Sequence, residues 1–161
     1  MINGAIQEIG MNETLRNICW VSLVMLLSVG AANAGEAIGT VKTLKGEVNV
    51  VRDGAAMKAT AGMRLMAADK LVTGADSSVG IALQDATLMS LGAKSATQLS
   101  EFRYDPVKRE GNMLISVIKG SMRFVTGLLG KQNPSAVGIR TPTATIGIRG
   151  TDFIVSVADK D

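Results

Sequence analysis

From residue 40 onward, apolar side chains recur at alternate positions and are interrupted about every ten residues by Gly, Asp or Asn. A period of two is the repeat of a strand with one face on a core and the other in solvent. The chain is therefore expected to fold as short strands joined by tight turns. Val48 and Val50 alternate with Glu47 and Asn49 and run into Asp53-Gly54, a dipeptide that reaches the positive φ angles of a two-residue hairpin turn. Leu65 and Leu71-Val72 surround Asp69, and Val79, Ile81 and Leu83 share one face before Gln84-Asp85. Leu88 and Ser90 oppose Met89 and Leu91. Further strands are predicted over 99–104, 113–118 and 122–125, with Lys119-Gly120 ending the second of them.

Helix signals are poor. Residues 127–135, with Leu128-Leu129-Gly130 and Asn133-Pro134, are expected to form an exposed loop, because Pro134 and the glycines resist a continuous ladder. Residues 103–110, around Asp105-Pro106, read as a polar hairpin end. The expected fold class is all-β, a single domain of short strands, with an irregular β-sandwich as the alternative arrangement.

The N-terminal 34 residues follow a different rule. Arg16 precedes the apolar run from Ile18 to Leu27, and Ala32-Asn33-Ala34 forms a small-x-small cleavage site, the layout of a secretory signal peptide. An uncleaved anchor is the alternative, but the second half of 17–34 is small and polar, whereas a span wants about 20 strongly apolar residues. Met11 opens a more ordinary leader than Met1 and is a candidate start. The expected organisation is a signal peptide over 1–34 and one all-β domain over 35–161, placed in the periplasm or secreted, with no stable membrane span after cleavage.

Cleavage removes one Lys or Arg and two Asp or Glu, which leaves 16 cationic against 12 acidic residues. Cys19 is the one cysteine, lies in the leader, and the chain has no histidine. Disulfides, cysteine nucleophiles, His-based triads and zinc sites built from His or Cys are thereby excluded from the domain. Asp69, Asp76, Asp85, Glu101 and Asp152 could supply a carboxylate pair of the kind glycosidases use. However, Asp69, Asp76 and Asp85 sit in turn-like contexts, where a short carboxylate accepts local backbone hydrogen bonds. No nucleophile motif or phosphate-cradling loop accompanies them. No cofactor is called for. The basic surplus on Arg123, Lys131, Arg140 and Arg149 could line one face toward an anionic polymer, or simply form a solvated strand face. Nucleic acid is not an expected partner, because only Phe102, Tyr104, Phe124 and Phe153 remain for stacking.

The stretch Thr141-Pro142-Thr143-Ala144-Thr145-Ile146-Gly147-Ile148-Arg149-Gly150-Thr151-Asp152-Phe153 closely resembles the signature of FecR-like periplasmic domains. The order of Gly46-Glu47-Val48, Ala61-Gly62, Asp69 to Thr73, Ser77-Ser78-Val79, Leu91-Gly92 and Ile118 to Ser121 is similar to that family's glycine and apolar landmarks. The resemblance runs from Gly39 to Val157 and implies a β-rich, solenoid-like domain. Thr141, Pro142, Gly147, Gly150, Thr151 and Phe153 are its structural signature. In the best-known members such a domain is the periplasmic part of a membrane-spanning sigma-factor regulator. Here at most 17 residues precede the apolar segment and four follow Val157. The expected likeness is thus to stand-alone exported members rather than to a transmembrane signaller.

Two function classes follow. The first is a non-catalytic interaction module binding an envelope protein or an anionic envelope polymer through strand edges and the candidate contacts Leu128, Leu129, Lys131, Arg140 and Arg149. A variant of it is the periplasmic part of a regulatory system acting with a separate membrane partner. The second is a small carboxylate-dependent envelope hydrolase. Phe153, Val155 and Val157 alternate with Asp152, Ile154 and Ser156, so Phe153 is expected in the core, and Gly150 where φ is positive or a Cβ would collide. The mature protein is expected to begin at Gly35. The intact mass of the protein from envelope fractions checks this, and an N-terminus retaining Trp20 in the membrane fraction would show an anchor instead.

Overall fold

A computed structural model describes residues 35–158; the leader, its cleavage site and Met11 lie outside the described residues. Strands take up 57% of the structure beside one short helix, so the fold is all-β, a curled half-barrel sheet. In chain order the strands are β1 (Gly39–Lys45), β2 (Val48–Arg52), β3 (Ala55–Lys58), β4 (Arg64–Leu65), β5 (Lys70–Thr73), β6 (Ser78–Leu83), β7 (Leu88–Leu91), β8 (Ala96–Asp105), β9 (Glu110–Val125), β10 (Val137–Arg140), β11 (Thr145–Gly147) and β12 (Asp152–Val157). Helix α1 (Leu128–Gln132) and a 3₁₀ turn (Pro134–Ala136) lie between β9 and β10. The main path of the sheet runs β3-β2-β5-β8-β9-β7-β6-β1-β4. Among the described residues no helix is long and apolar enough to cross a membrane.

The alternation of the sequence builds the core directly. Val48, Val50, Val79, Ile81, Leu83, Met89 and Leu91 are buried, while Leu88 and Ser90 face outward. Asp53 and Gly54 both take positive φ, +50° and +81°, and close the two-residue β2–β3 hairpin. The 103–110 segment is the β8–β9 hairpin end, where Asp105 Oδ1 accepts the backbone N–H groups of Val107 and Lys108.

Two expectations are corrected. Lys119-Gly120 does not end a strand: β9 continues through it for 16 residues. Gly120 adopts φ +81°, and a Cβ there would lie 2.5 Å from Ser95 Cα. Glycine lets the strand bend without breaking its ladder. Before the bend β9 pairs with β8, and after it with β7.

The second correction concerns 127–135, which is helical rather than a loop, although Lys131 to Ser135 are exposed as expected. It forms α1, and Gly127, Leu129 and Gly130 are buried. The cap comes from far away in sequence. The Asp85 carbonyl accepts the Leu128 N–H at 2.7 Å, Asp85 Oδ2 faces the Leu129 N–H at 3.4 Å, and Thr87 Oγ1 accepts the Gly127 N–H at 3.1 Å. These satisfy the orphan donors of a helix start, which in most helices a residue just before the first turn would serve. A Cβ on Gly127 would collide with the backbone of Asp85 and Thr87, so this close approach requires glycine.

Both fully buried carboxylates, Asp69 and Asp85, are hydrogen-bonded, as a polar group removed from water must be. Asp69 accepts Arg52 Nε at 2.8 Å, Arg52 Nη2 at 2.7 Å and the Met66 N–H at 2.8 Å. Asp85 accepts the Thr87 N–H at 3.1 Å and the Thr87 hydroxyl at 2.8 Å. The turn reading of both residues therefore holds, with Arg52 as a partner the sequence did not single out. Arg52→Met leaves the Asp69 charge buried without its counter-ion and is expected to cost about 3 kcal/mol, the low end for breaking such a pair, because Arg52 is partly exposed. Urea unfolding measures it. A loss under about 1 kcal/mol would show that the pair contributes little.

Candidate interaction surface at the C-terminal signature

The signature closes the sheet along β9. Strand β10 runs parallel to it, from Val137 opposite Met113 to Arg140 opposite Ser116, and β11 pairs back on β10. Strand β12 lies antiparallel on the next stretch, from Asp152 opposite Val125 to Val157 opposite Gly120. Among the described residues β11 pairs with β10 alone and β12 with β9 alone, so each offers one free edge. Beside them lies a groove of about 590 Å³, lined by Ile118, Thr141, Pro142, Ile146, Val155 and Val157 among others. Ile118 and Ile146 are more than a third exposed, and Ile154, on the outer face of β12, is 68% exposed. Sequence reasoning missed Ile118 and Ile146, because an apolar residue on the solvent face of a strand has no periodicity of its own.

The signature residues have separable jobs. Thr141 Oγ1 accepts the Ala144 N–H at 3.1 Å while the Thr141 N–H donates to the Ala144 carbonyl at 2.8 Å. That turn, holding Pro142, connects β10 to β11. Gly147 pairs with Gly138 across the β10–β11 ladder. Gly150 has φ +121° with nothing within 4 Å of a Cβ, so backbone conformation rather than crowding asks for glycine. Thr126, just past β9, pins this corner: its hydroxyl donates to the Gly150 carbonyl at 3.0 Å and its N–H to the Thr151 carbonyl at 2.8 Å. Phe153 is half-buried and stacks on the fully buried Phe124, with centroids 5.3 Å apart. Val155 is buried and Val157 half-buried on the same face.

The candidate contacts divide. Leu128 is 40% exposed, but Leu129 is 1% exposed and fills the core beneath α1, so its side chain is not presented to a partner. Lys131, Arg140 and Arg149 are exposed and have no hydrogen-bond or ion-pair partner among the described residues. Gly130 packs against Ile148, and Lys131 and Arg149 each follow directly in the chain on a residue of that contact. Arg123 does not join them. It grips Asp152 with two hydrogen bonds, 2.9 and 2.5 Å, across the β9–β12 pair. These bonds hold the Asp152 carboxyl below its ordinary value and the Arg123 guanidinium above its own. Both side chains are largely exposed, so solvent screens the pair.

Of the five carboxylates that could have made an acid/base pair, Asp69 and Asp85 are sealed in the core and Asp152 is engaged by Arg123. Glu101 accepts Asn112 Nδ2 at 3.1 Å. Among the described residues no three His, Cys, Asp or Glu side chains are grouped as a metal site requires.

Gly150→Val is expected to lower stability by about 1–3 kcal/mol through its positive φ, and Phe153→Ala by about 3 kcal/mol through lost packing. Arg149→Gln should stay within about 0.5 kcal/mol of the parent. Thermal melts of the three variants separate these roles. A Phe153→Ala protein as stable as the parent would make that ring a contact residue instead.

The model of the family described as FecR protein matches residues 69–161. A solved structure titled cell surface anchoring domain is 32% identical over 38% of this chain and 83% of its own, with a TM-score of 0.37. No curated protein matches. The family match takes in strands β5 to β12, the kinked β9, the Thr126-pinned corner and the whole signature from Thr141 to Phe153, and by it the chain belongs to the FecR protein family.

Proposed function

We propose that this is a non-catalytic interaction module of the cell envelope, exported by the leader at 1–34, which holds an extended segment of an envelope protein along the free edges of β11 and β12. The observation that carries the reading is the apolar groove flanked by two one-sided strands. An unpaired edge presents a row of N–H and C=O groups that another chain can complete, and adjacent apolar pockets select its alternate side chains. Ile118, Ile146 and Val157 supply that apolar lining. A carboxylate-dependent hydrolase has less support, because four of the five candidate carboxylates already hold structural partners.

A second contact rests on a separate observation. Lys131, Arg140 and Arg149 have no ion-pair partner among the described residues, which suits an anionic envelope polymer whose attraction weakens as salt screens it.

Photo-crosslinking in intact cells tests the first reading. A crosslinker at Ile146 or Ile154 is expected to capture one discrete partner, whereas one at Val107, which is 90% exposed on the β8–β9 turn, is not. Ile154→Lys in the protein crosslinked from 146, and Ile146→Lys in the one crosslinked from 154, should each abolish the adduct without changing the melt, since a charged edge resists strand addition. Equal crosslinking from all three positions would remove the edge reading. Binding of polyglutamate that is insensitive to salt, or to Gln at 131, 140 and 149, would remove the electrostatic one.

A further inference from the structure

The free edge of β12 has a definite hydrogen-bonding parity. In an antiparallel ladder, directly opposite residues alternate between pairs that exchange both N–H···O bonds and pairs that exchange none. The Thr126 N–H donates to the Thr151 carbonyl at 2.8 Å, one step beyond the Asp152–Val125 pair, so Thr151 belongs to a bonded pair. By alternation Phe153, Val155 and Val157 are the residues bonded to Phe124, Met122 and Gly120. The N–H and C=O groups of Asp152, Ile154 and Ser156 therefore point to the free side. The side chains of the same three residues stand exposed on the outer face. At 68%, Ile154 is the most exposed large apolar side chain on any strand among the described residues.

We infer that the occupant of this edge is β12 of a second copy of the chain, paired antiparallel across a two-fold axis at Ile154. The inference rests on the edge reading and names its partner. A two-fold contact must be self-complementary, because the same surface is used on both sides. With the axis at Ile154, Asp152 stands opposite Ser156 of the second copy, Phe153 opposite Val155, and Ile154 opposite its own counterpart. Polar meets polar and apolar meets apolar, and the aromatic and β-branched pairs are of the kind that stabilise sheets. Asp152, Ile154 and Ser156 each exchange two N–H···O bonds with the residue opposite.

Neighbouring registers lack this match. An axis at Phe153 sets Asp152 against Ile154, and one at Val155 sets Ile154 against Ser156. An axis between two residues sets inward side chains against outward ones. The two Asp152 carboxylates, each already held by its own Arg123, lie at opposite ends of the contact, so no like charges oppose each other. The outer strands β3 and β4, four and two residues long, offer no comparable stretch.

Light scattering of the purified protein is expected to show a concentration-dependent monomer–dimer equilibrium, and Ile154→Lys should leave a monomer with an unchanged melt. Ser156→Lys should tighten the dimer about fivefold and Ser156→Asp loosen it as much, because each sets a charge opposite Asp152 twice per dimer. Single cysteines in a Cys19→Ser chain read the register. Opposite bonded residues have Cα atoms about 5.5 Å apart, within disulfide reach, so Ile154→Cys should give a disulfide-linked dimer under mild oxidation. Ser156→Cys, displaced from its counterpart by about 14 Å along the strands, should not. The photo-crosslinked adduct from position 154 should have twice the mass of the chain. An adduct of any other mass would keep the edge reading and overturn this inference. A protein monomeric at every concentration, a dimer indifferent to both charges at 156, or equal disulfide formation from 154 and 156 would overturn it as well.

Discussion

Strand β9 serves more neighbours than a straight strand can, and the reason is the bend at Gly120. A continuous 16-residue strand would be about 50 Å long, far beyond the width of a small domain. Bending it while keeping its ladder lets the first part pair with β8 and β10 and the second with β7 and β12. The bend is anchored chemically as well as sterically. The Ser121 N–H donates to Ser95 Oγ at 2.9 Å, the Ser95 N–H donates to Thr73 Oγ1 at 2.8 Å, and that hydroxyl donates to the Gly92 carbonyl at 2.6 Å. Where the sheet turns, backbone groups that lose a ladder partner are given a small hydroxyl instead.

A similar device, a hydroxyl or a carboxylate, recurs at three other corners. Asp85 and Thr87 serve the start of α1, Asp69 closes the 66–69 turn while holding Arg52, and Thr126 holds the Gly150–Thr151 corner. In a domain with so few aromatic residues and no disulfide, sheet curvature is therefore set by short side chains reaching across turns. Such contacts specify geometry more than they add stability, because a satisfied buried hydrogen bond contributes only about 1 kcal/mol net.

This division explains what the sequence made legible. Alternation is a local property, so the strand faces around Val79–Ile81–Leu83 and Met89–Leu91 could be read directly, as could the Asp53-Gly54 turn and the inward face of Phe153, Val155 and Val157. The groups that shape the corners act over long separations. The cap of α1 lies 44 residues before Leu129, so residues 127–135 looked like a loop and Leu129 like a surface residue. Gly120 looked like a strand end because nothing local says that Ser95 will press against it. Arg123 looked like a free cation because its partner, Asp152, is 29 residues away.

The placement of the free edges follows from the same geometry. The main path of the sheet ends at β3, four residues long, and at β4, only two residues long, and short edges are poor templates for another chain. β11, at three residues, is no longer, but it and the six-residue β12 lie beside the groove carrying Ile118 and Ile146. β12 is also the longer of the two, held at one end by the Thr126 corner and along its length by the β9 ladder. A strand fixed in this way loses little further conformational freedom when a partner pairs with it, so a greater share of the new contacts appears as affinity. The FecR signature, on this view, is a folding element whose consequence is a rigid, apolar-flanked edge. Its glycines and threonines set the corner, and the surface they expose is made by isoleucines and valines that no glycine motif would reveal.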